Sequence, residues 1–353
     1  MCPVIEELRK HKDFETIVAV TGQHREMLDQ VLNAFSIEPD YDLQIMRERQ
    51  DLFSITTAVL EGMSTLFEKV KPNIVVVHGD TTTSFATSLA AFYKGIMVAH
   101  VEAGLRTYNI NSPYPEEFNR QAVGILSSFN FAPTETAKNN LINEGKKESS
   151  IWVTGNTIVD ALKKTVKNDY SHPELEWCEG KRMILITAHR RENLGEPMRG
   201  IFRAIKRVID EHDDVRAVYP VHLNPKVRDV CYEVMGGDDR IHLIEPLDVF
   251  DFHNFINAAY LVVTDSGGIQ EEAPSLGKPV LVLRNTTERP EGIEKGVVRL
   301  IGTDEKSVYA ELSKLIDNKN EYDKMVRIDS IYGDGFASKR IVDVLAGYLR
   351  END

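Results

Sequence analysis

The chain has 353 residues, enough for two domains of ordinary size, and its 42% hydrophobic and 27% charged content excludes a disordered or collagen-like polymer. Fifty-five acidic against 42 basic side chains leave a net charge of −13, which repels phosphate backbones and anionic lipids, so neither nucleic acid nor membrane is an expected partner. Three isolated cysteines (Cys2, Cys178 and Cys231), an early Glu6-Glu7 pair and no apolar run near the ~18 residues of a membrane span predict a reduced cytoplasmic protein without a leader.

The chain opens on residues 3–10, an amphipathic helix pattern with no strand before it. Short β-rich runs then alternate with longer helical patterns, as parallel α/β folds require. The expected strands of the first half are 16–20, 74–77, 97–101, 130–132 and 151–154. Those of the second half are 183–187, 215–219, 241–244, 261–264, 280–283 and 297–301. Runs such as Ile74-Val75-Val76-Val77 are apolar at every position, the mark of a strand covered by helices on both faces. A polar connection containing Ser171-His172-Pro173 places the domain boundary near 155–180. Residues 337–349 read as a closing helix that could pack on either domain. We expect a first domain of 1–155 joined by 337–353, and a second of 156–336. The halves echo each other, each with a strand, a turn of small polar residues, a helix and another strand. The predicted class is therefore α/β, with two Rossmann-like doubly wound domains facing a cleft.

Asp265-Ser266-Gly267-Gly268 sits at a strand-to-helix turn, where two glycines let backbone N–H groups approach a diphosphate and the helix start favours its charge; a plain helix cap has the same composition. Glu272, one turn on, could accept from a ribose hydroxyl. No GxGxxG supports a dinucleotide, and no HExxH, GxSxG or P-loop occurs, so no cofactor and no metal are expected. In the first half, Asp80 of His78-Gly79-Asp80-Thr81 and Glu102 of His100-Val101-Glu102 come to one sheet edge, an acid/base constellation unless Glu102 merely pairs with Arg106. Glu116 and Arg120, four apart on a helix, are either a surface ion pair or a third carboxylate with its orienting cation. His189, Arg190 and Arg191 form a cationic patch at another strand end, and His222 lies in Pro220-Val221-His222-Leu223-Asn224-Pro225.

The stretches HGDTTT, HVEAGLRT, PYPEEFNR, FAPTETAKNNL, VTGNTIVDAL, TAHRRENLG, PVHLNP, DSGGIQEEAPSLGKPVLVLR and TERPEG resemble the non-hydrolysing UDP-N-acetylglucosamine 2-epimerases of bacteria. They spread over residues 21–340. The resemblance implies a GT-B-like pair of Rossmann-like domains that interconverts UDP-GlcNAc and UDP-ManNAc without NAD or metal, as a homodimer. The C2 proton of the sugar is not acidic until UDP begins to leave C1, so the chemistry needs carboxylates around the sugar and cations around the diphosphate.

Carried over by resemblance, Asp80, Glu102 and Glu116 are the acid/base carboxylates, Arg120 orients Glu116, and His189 assists at the leaving group. Ser266, Gly267, Gly268 and Glu272 hold the diphosphate and ribose of UDP, Arg289 adds positive charge at the phosphates, and Phe252 packs near the uracil. Gln23, Arg49, Arg190 and His222 match a second, allosteric UDP-GlcNAc site. The family opens with a strand and a Gly-Thr-Arg-Pro-Glu type of turn, whereas Met1 here falls at the following helix. Losing a central strand exposes two edges, so the expectation is a native protein roughly 15–20 residues longer at its start. The competing readings are a glycosyltransferase on the same fold, a hydrolysing epimerase that releases free ManNAc, and a non-catalytic UDP-sugar sensor.

Overall fold

The computed structural model describes residues 1–353 except 23–24, 47–49, 327–329 and 353. The chain forms two compact units, Met1–Lys163 with Tyr332–Asp353, and Lys164–Ile331. Both are Rossmann-like, with parallel strands linked by helices.

The first unit contains strands β1 (Ala19–Val20), β2 (Tyr41–Asp42), β3 (Ile74–His78), β4 (Met97–Val101), β5 (Phe129–Ala132) and β6 (Ile151–Val153). β3, β4, β5 and β6 form one parallel sheet in chain order, and β1 and β2 form a separate parallel pair. β2 is an element that the sequence reading did not anticipate: it is two residues long, too short to show a period. Val59, Met63 and Phe67 of helix Leu52–Val70 cover one face of the larger sheet, together with Ala86 and Ala90. The opposite face receives Val4 and Leu8 of helix Cys2–Lys10 and Ile341, Val342 and Leu345 of helix Ala337–Asn352. Asp160 anchors that last helix by accepting from the backbone of Ala337 (3.1 Å) and Ser338 (2.8 Å), two of its otherwise orphaned N-terminal donors.

The second unit contains β7 (Arg182–Thr187), β8 (Val215–Pro220), β9 (Ile241–Ile244), β10 (Leu261–Thr264), β11 (Val280–Val282) and β12 (Val298–Leu300). They form one parallel sheet in the order β12-β11-β10-β7-β8-β9. That is the doubly wound order, and the strand order reverses between β7 and β10, which pair in parallel. Helix Glu196–Asp210 shows why the layers hold. Met198, Ile201, Phe202, Ile205, Val208 and Ile209 recur every three or four residues and are fully buried, each contributing about 1.5–3 kcal/mol. None of the three cysteines is in a disulfide, and burial pushes the Cys178 and Cys231 thiols up to about 12, which leaves them protonated and inert. Among the described residues no helix is long and apolar enough to cross a membrane.

Candidate active site

In the first unit, adjacent strands β3 and β4 run in register to His78 opposite Val101. The chain beyond each strand carries a carboxylate. Gly79 turns with φ = 64° while its N–H bonds Val101 O at 2.9 Å. Glu102 itself takes φ = 66°, left-handed backbone that costs a residue with a β-carbon roughly 1–2 kcal/mol. Such strain persists where the surroundings enforce it, which happens most at functional sites.

Each of these carboxylates has a basic partner. Arg120 Nη2 lies 2.7 Å from Asp80 Oδ2, and His78 Nε2 lies 3.1 Å from Glu102 Oε2. Buried side chains fix the backbone between them. His100 bonds Gly79 O through Nε2 at 2.8 Å, and Asn119 donates to Asp80 O at 2.9 Å. Burial lowers the His100 imidazole to about 4, so at neutral pH it is an uncharged donor.

One sequence expectation changes here, and one alternative falls away. Arg120 meets Asp80 and the fully buried Glu117, at 3.6 Å, rather than Glu116, which opens helix Glu116–Leu126 half-buried. Glu117 is turned inward because it accepts from Thr107 N and Tyr108 N, both at 3.0 Å. Arg106 does not pair with Glu102; it forms a two-pronged bridge to Glu144 at 2.7 and 2.8 Å. His78 and Glu117 are residues that sequence reasoning missed. The signal for His78 was its place at the end of an apolar strand directly before Gly79-Asp80.

In the second unit the loops after β7 and β10 meet at the point where the sheet order reverses, the ligand position of doubly wound sheets. Thr187 and Thr264 share a 2.6 Å hydroxyl bond across the strand ends. Asp265, fully buried, accepts from His189 N (2.9 Å), Arg190 N (2.9 Å) and Asn193 Nδ2 (3.0 Å). The sequence pattern gives Asp265 no role of its own beyond its place in the loop. Its structural part is clear: one carboxylate staples two loops that would otherwise leave backbone donors unpaired.

His189 is half-buried, and its ring stacks on His222 with centroids 5.2 Å apart. Burial, then the charge of His189, lowers the His222 imidazole below its ordinary value. Arg190 Nε donates to Asp265 O at 2.8 Å. Ser266, Gly267 and Gly268 lead into helix Ile269–Ser275, with Ser266 and Gly267 half-buried and Gly268 exposed. Glu272 stands in that helix, where burial and the neighbouring Glu271 push its carboxyl up to about 7. Phe252, on helix Val249–Ala258, packs half-buried against the adjacent core. Gln23 and Arg49 lie outside the described residues.

Arg289 departs from expectation. It is buried, with its guanidinium bonded to Glu271 through Nε and to Glu288 through Nη1. Two carboxylates already compensate its charge, so its position under the Ser266–Gly268 turn matters more than any free charge.

The family model for UDP-N-acetylglucosamine 2-epimerase matches residues 6–346. The UDP-N-acetylglucosamine 2-epimerase of Bacillus subtilis strain 168 is 57% identical over 354 residues, covering 99% of this chain and 93% of that protein. A crystal structure of a Listeria monocytogenes protein at 54% identity superposes with a TM-score of 0.97, covering 100% of this chain and 93% of that one. The UDP-GlcNAc 2-epimerase of Neisseria meningitidis, solved bound to UDP-GlcNAc, is 46% identical with a TM-score of 0.94, covering 98% of this chain and 96% of that one.

Proposed function

The chain belongs to the UDP-N-acetylglucosamine 2-epimerase family and is an isomerase acting at C2 of the amino sugar, and from that premise we propose that it works by eliminating and re-adding UDP. In the forward half-reaction a carboxylate takes the C2 proton, the C1–O bond breaks with its electron pair leaving on UDP, and a C1–C2 double bond forms. In the return, a proton reaches C2 from the opposite face and the UDP oxygen closes again on C1. No net oxidation occurs, so neither half calls for a redox cofactor.

The observation that carries this reading is the separate seating of Asp80 on Arg120 and Glu102 on His78 at the ends of adjacent strands. Removing a proton from one face and delivering one to the other requires two acid/base groups in distinct environments. Glu116, at the start of its helix, is the third candidate. The second unit's share is UDP. The Ser266 hydroxyl and the backbone N–H groups of Gly267 and Gly268 take the diphosphate, the Ser266 N–H being donated to Thr264 Oγ1 at 2.9 Å, while Glu272 takes the ribose, Phe252 the uracil, and His189 stands by the departing oxygen.

Arg190 and His222, with Gln23 and Arg49, are in this reading the contacts of a second, activating UDP-GlcNAc. The ring stacking of His222 on His189 supports coupling of the two. Loss of sigmoidal rate dependence in Arg190→Ala tests it. The chain is further proposed to act as a homodimer. Phe53, Phe92, Tyr93 and Ile125, exposed on helices Leu52–Val70, Thr82–Tyr93 and Glu116–Leu126, supply apolar surface for contact. Light scattering checks the mass.

The deciding experiment is proton NMR of UDP-GlcNAc with the protein in deuterated water. UDP-ManNAc carrying deuterium at C2 is the expected product. Free ManNAc with UDP would point to hydrolysis, and an unchanged spectrum with UDP still bound would point to a transferase or a sensor.

A further inference from the structure

Four charged side chains beneath the Ser266–Gly268 turn form a continuous ion chain: Glu271, Arg289, Glu288 and Arg284. Their exposures are 1%, 7%, 4% and 5%, so all four are removed from water. Arg289 bridges Glu271 and Glu288, and Glu288 Oε2 in turn receives Arg284 Nη2 at 3.1 Å. Two cations and two carboxylates balance, which lets such a group be buried at all. Breaking one member leaves its neighbour charged and uncompensated.

The chain lies directly against the turn. A β-carbon on Gly267 would stand 2.9 Å from Arg289 Nη1 and 2.9 Å from Glu288 Oε1. Side-chain ends that close would ordinarily swing aside, but these are held at both ends by ion pairs. A second tie runs parallel. Thr287 Oγ1 donates to Gln270 Oε1 (2.8 Å), Gln270 Nε2 donates to Ser266 O (3.2 Å), and Thr287 Oγ1 accepts from Arg289 N (3.1 Å). The carbonyl of Ser266 is thereby held on the helix side, and the turn rests on a rigid floor.

We propose that Arg284, Glu288 and Glu271 are positioning residues for the diphosphate, acting through Arg289 to hold the turn's backbone donors where phosphate oxygens bind. The inference rests on the reading that this turn takes the diphosphate of UDP. Preset donors cost nothing to reorganise when the ligand arrives, so loosening the floor weakens phosphate binding while leaving nucleoside recognition intact.

The test compares UDP and uridine binding by calorimetry or NMR titration for wild type, Glu288→Gln, Arg284→Met, the double variant and Ser266→Ala, with thermal melts for each. Glu288→Gln keeps the shape, so it preserves the test should Arg284→Met fold poorly. Expected are at least tenfold weaker UDP binding in both single variants, uridine affinity within about threefold of wild type, and a double variant no worse than the weaker single one. KM for UDP-GlcNAc rises more than kcat falls. Equal weakening of UDP and uridine, or no weakening of UDP, overturns the proposal. If Ser266→Ala binds UDP like wild type, the diphosphate reading of the turn has failed; if Ser266→Ala weakens UDP and the ion-chain variants do not, only the positioning role has.

Discussion

The two units solve different problems at the same place in a parallel sheet, the carboxyl ends of the strands. In the first unit the groups presented are side chains. Asp80 and Glu102 stand at the ends of β3 and β4, each steadied by a basic side chain, and buried His100 and Asn119 pin the peptide units beneath them. In the second unit the groups presented are mostly backbone. Asp265 is spent on stapling loops, and Glu271, Glu288 and Arg284 on holding Arg289 below Gly267. Side-chain acids can be tuned and can exchange protons; fixed backbone dipoles cannot, but they bind phosphate without reorganising. In the proposed reading the contrast is between a surface built for chemistry and one built for recognition.

Substitutions that separate chemistry from recognition probe this contrast, and the largest effect belongs to the first unit. Asp80→Asn or Glu102→Gln should lower the rate of C2 proton exchange by roughly 10²–10⁴ while leaving UDP affinity within about twofold, as measured by deuterium incorporation and calorimetry. A parallel loss of UDP binding would erase the division of labour. Next is Gly267→Ala, which drives a methyl into Arg289 and Glu288 at 2.9 Å. Overpacking of this kind costs about 1–3 kcal/mol, and UDP binding should weaken at least tenfold with C2 chemistry on bound substrate little changed.

Asp265→Ala removes the acceptor of His189 N and Arg190 N. Leaving buried donors unsatisfied costs about 1–3 kcal/mol each, so a fall in melting temperature is expected together with loss of both His189 placement and UDP binding. A normal melting temperature would mean that the loops find other partners.

The smallest effect is one of pH. The Glu272 carboxyl, raised to about 7, is mostly neutral at pH 6 and mostly ionised at pH 8. A ribose diol donates better to a carboxylate than to a neutral acid, so uridine affinity should rise roughly five- to tenfold across that range. In Glu272→Gln the profile should be flat; uridine serves as probe because it carries no titrating phosphate. Stability runs the other way. The folded protein keeps a proton that the unfolded chain releases near 4.5, so this group's penalty on folding is absent below that value and grows as pH climbs to about 7.

The fold was largely legible beforehand because parallel strands covered on both faces are apolar at every position, and each expected strand has its counterpart in β1 and β3–β12. β2 escaped because Tyr41–Asp42 is too brief for a pattern. Strand-end residues such as Asp80, Glu102 and Ser266 were also legible, since a turn after an apolar run exposes what it carries. Spacing misled at Arg120. Four residues suggested Glu116, yet the guanidinium turns to Asp80, 40 residues away in sequence, and to the inward-facing Glu117.

The amino-acid sequence by itself determined the alternation of strands and helices, the two larger sheets and the polar residues at their ends, because periodicity and turn chemistry act over a few residues. Tertiary structure alone decided which charge meets which. His78 with Glu102, Asp265 with the β7 loop, and Arg284 with Glu288 and Arg289 are pairings forced by burial. A charge taken out of water must find a partner, and that partner is whichever group the packing of distant segments brings within reach.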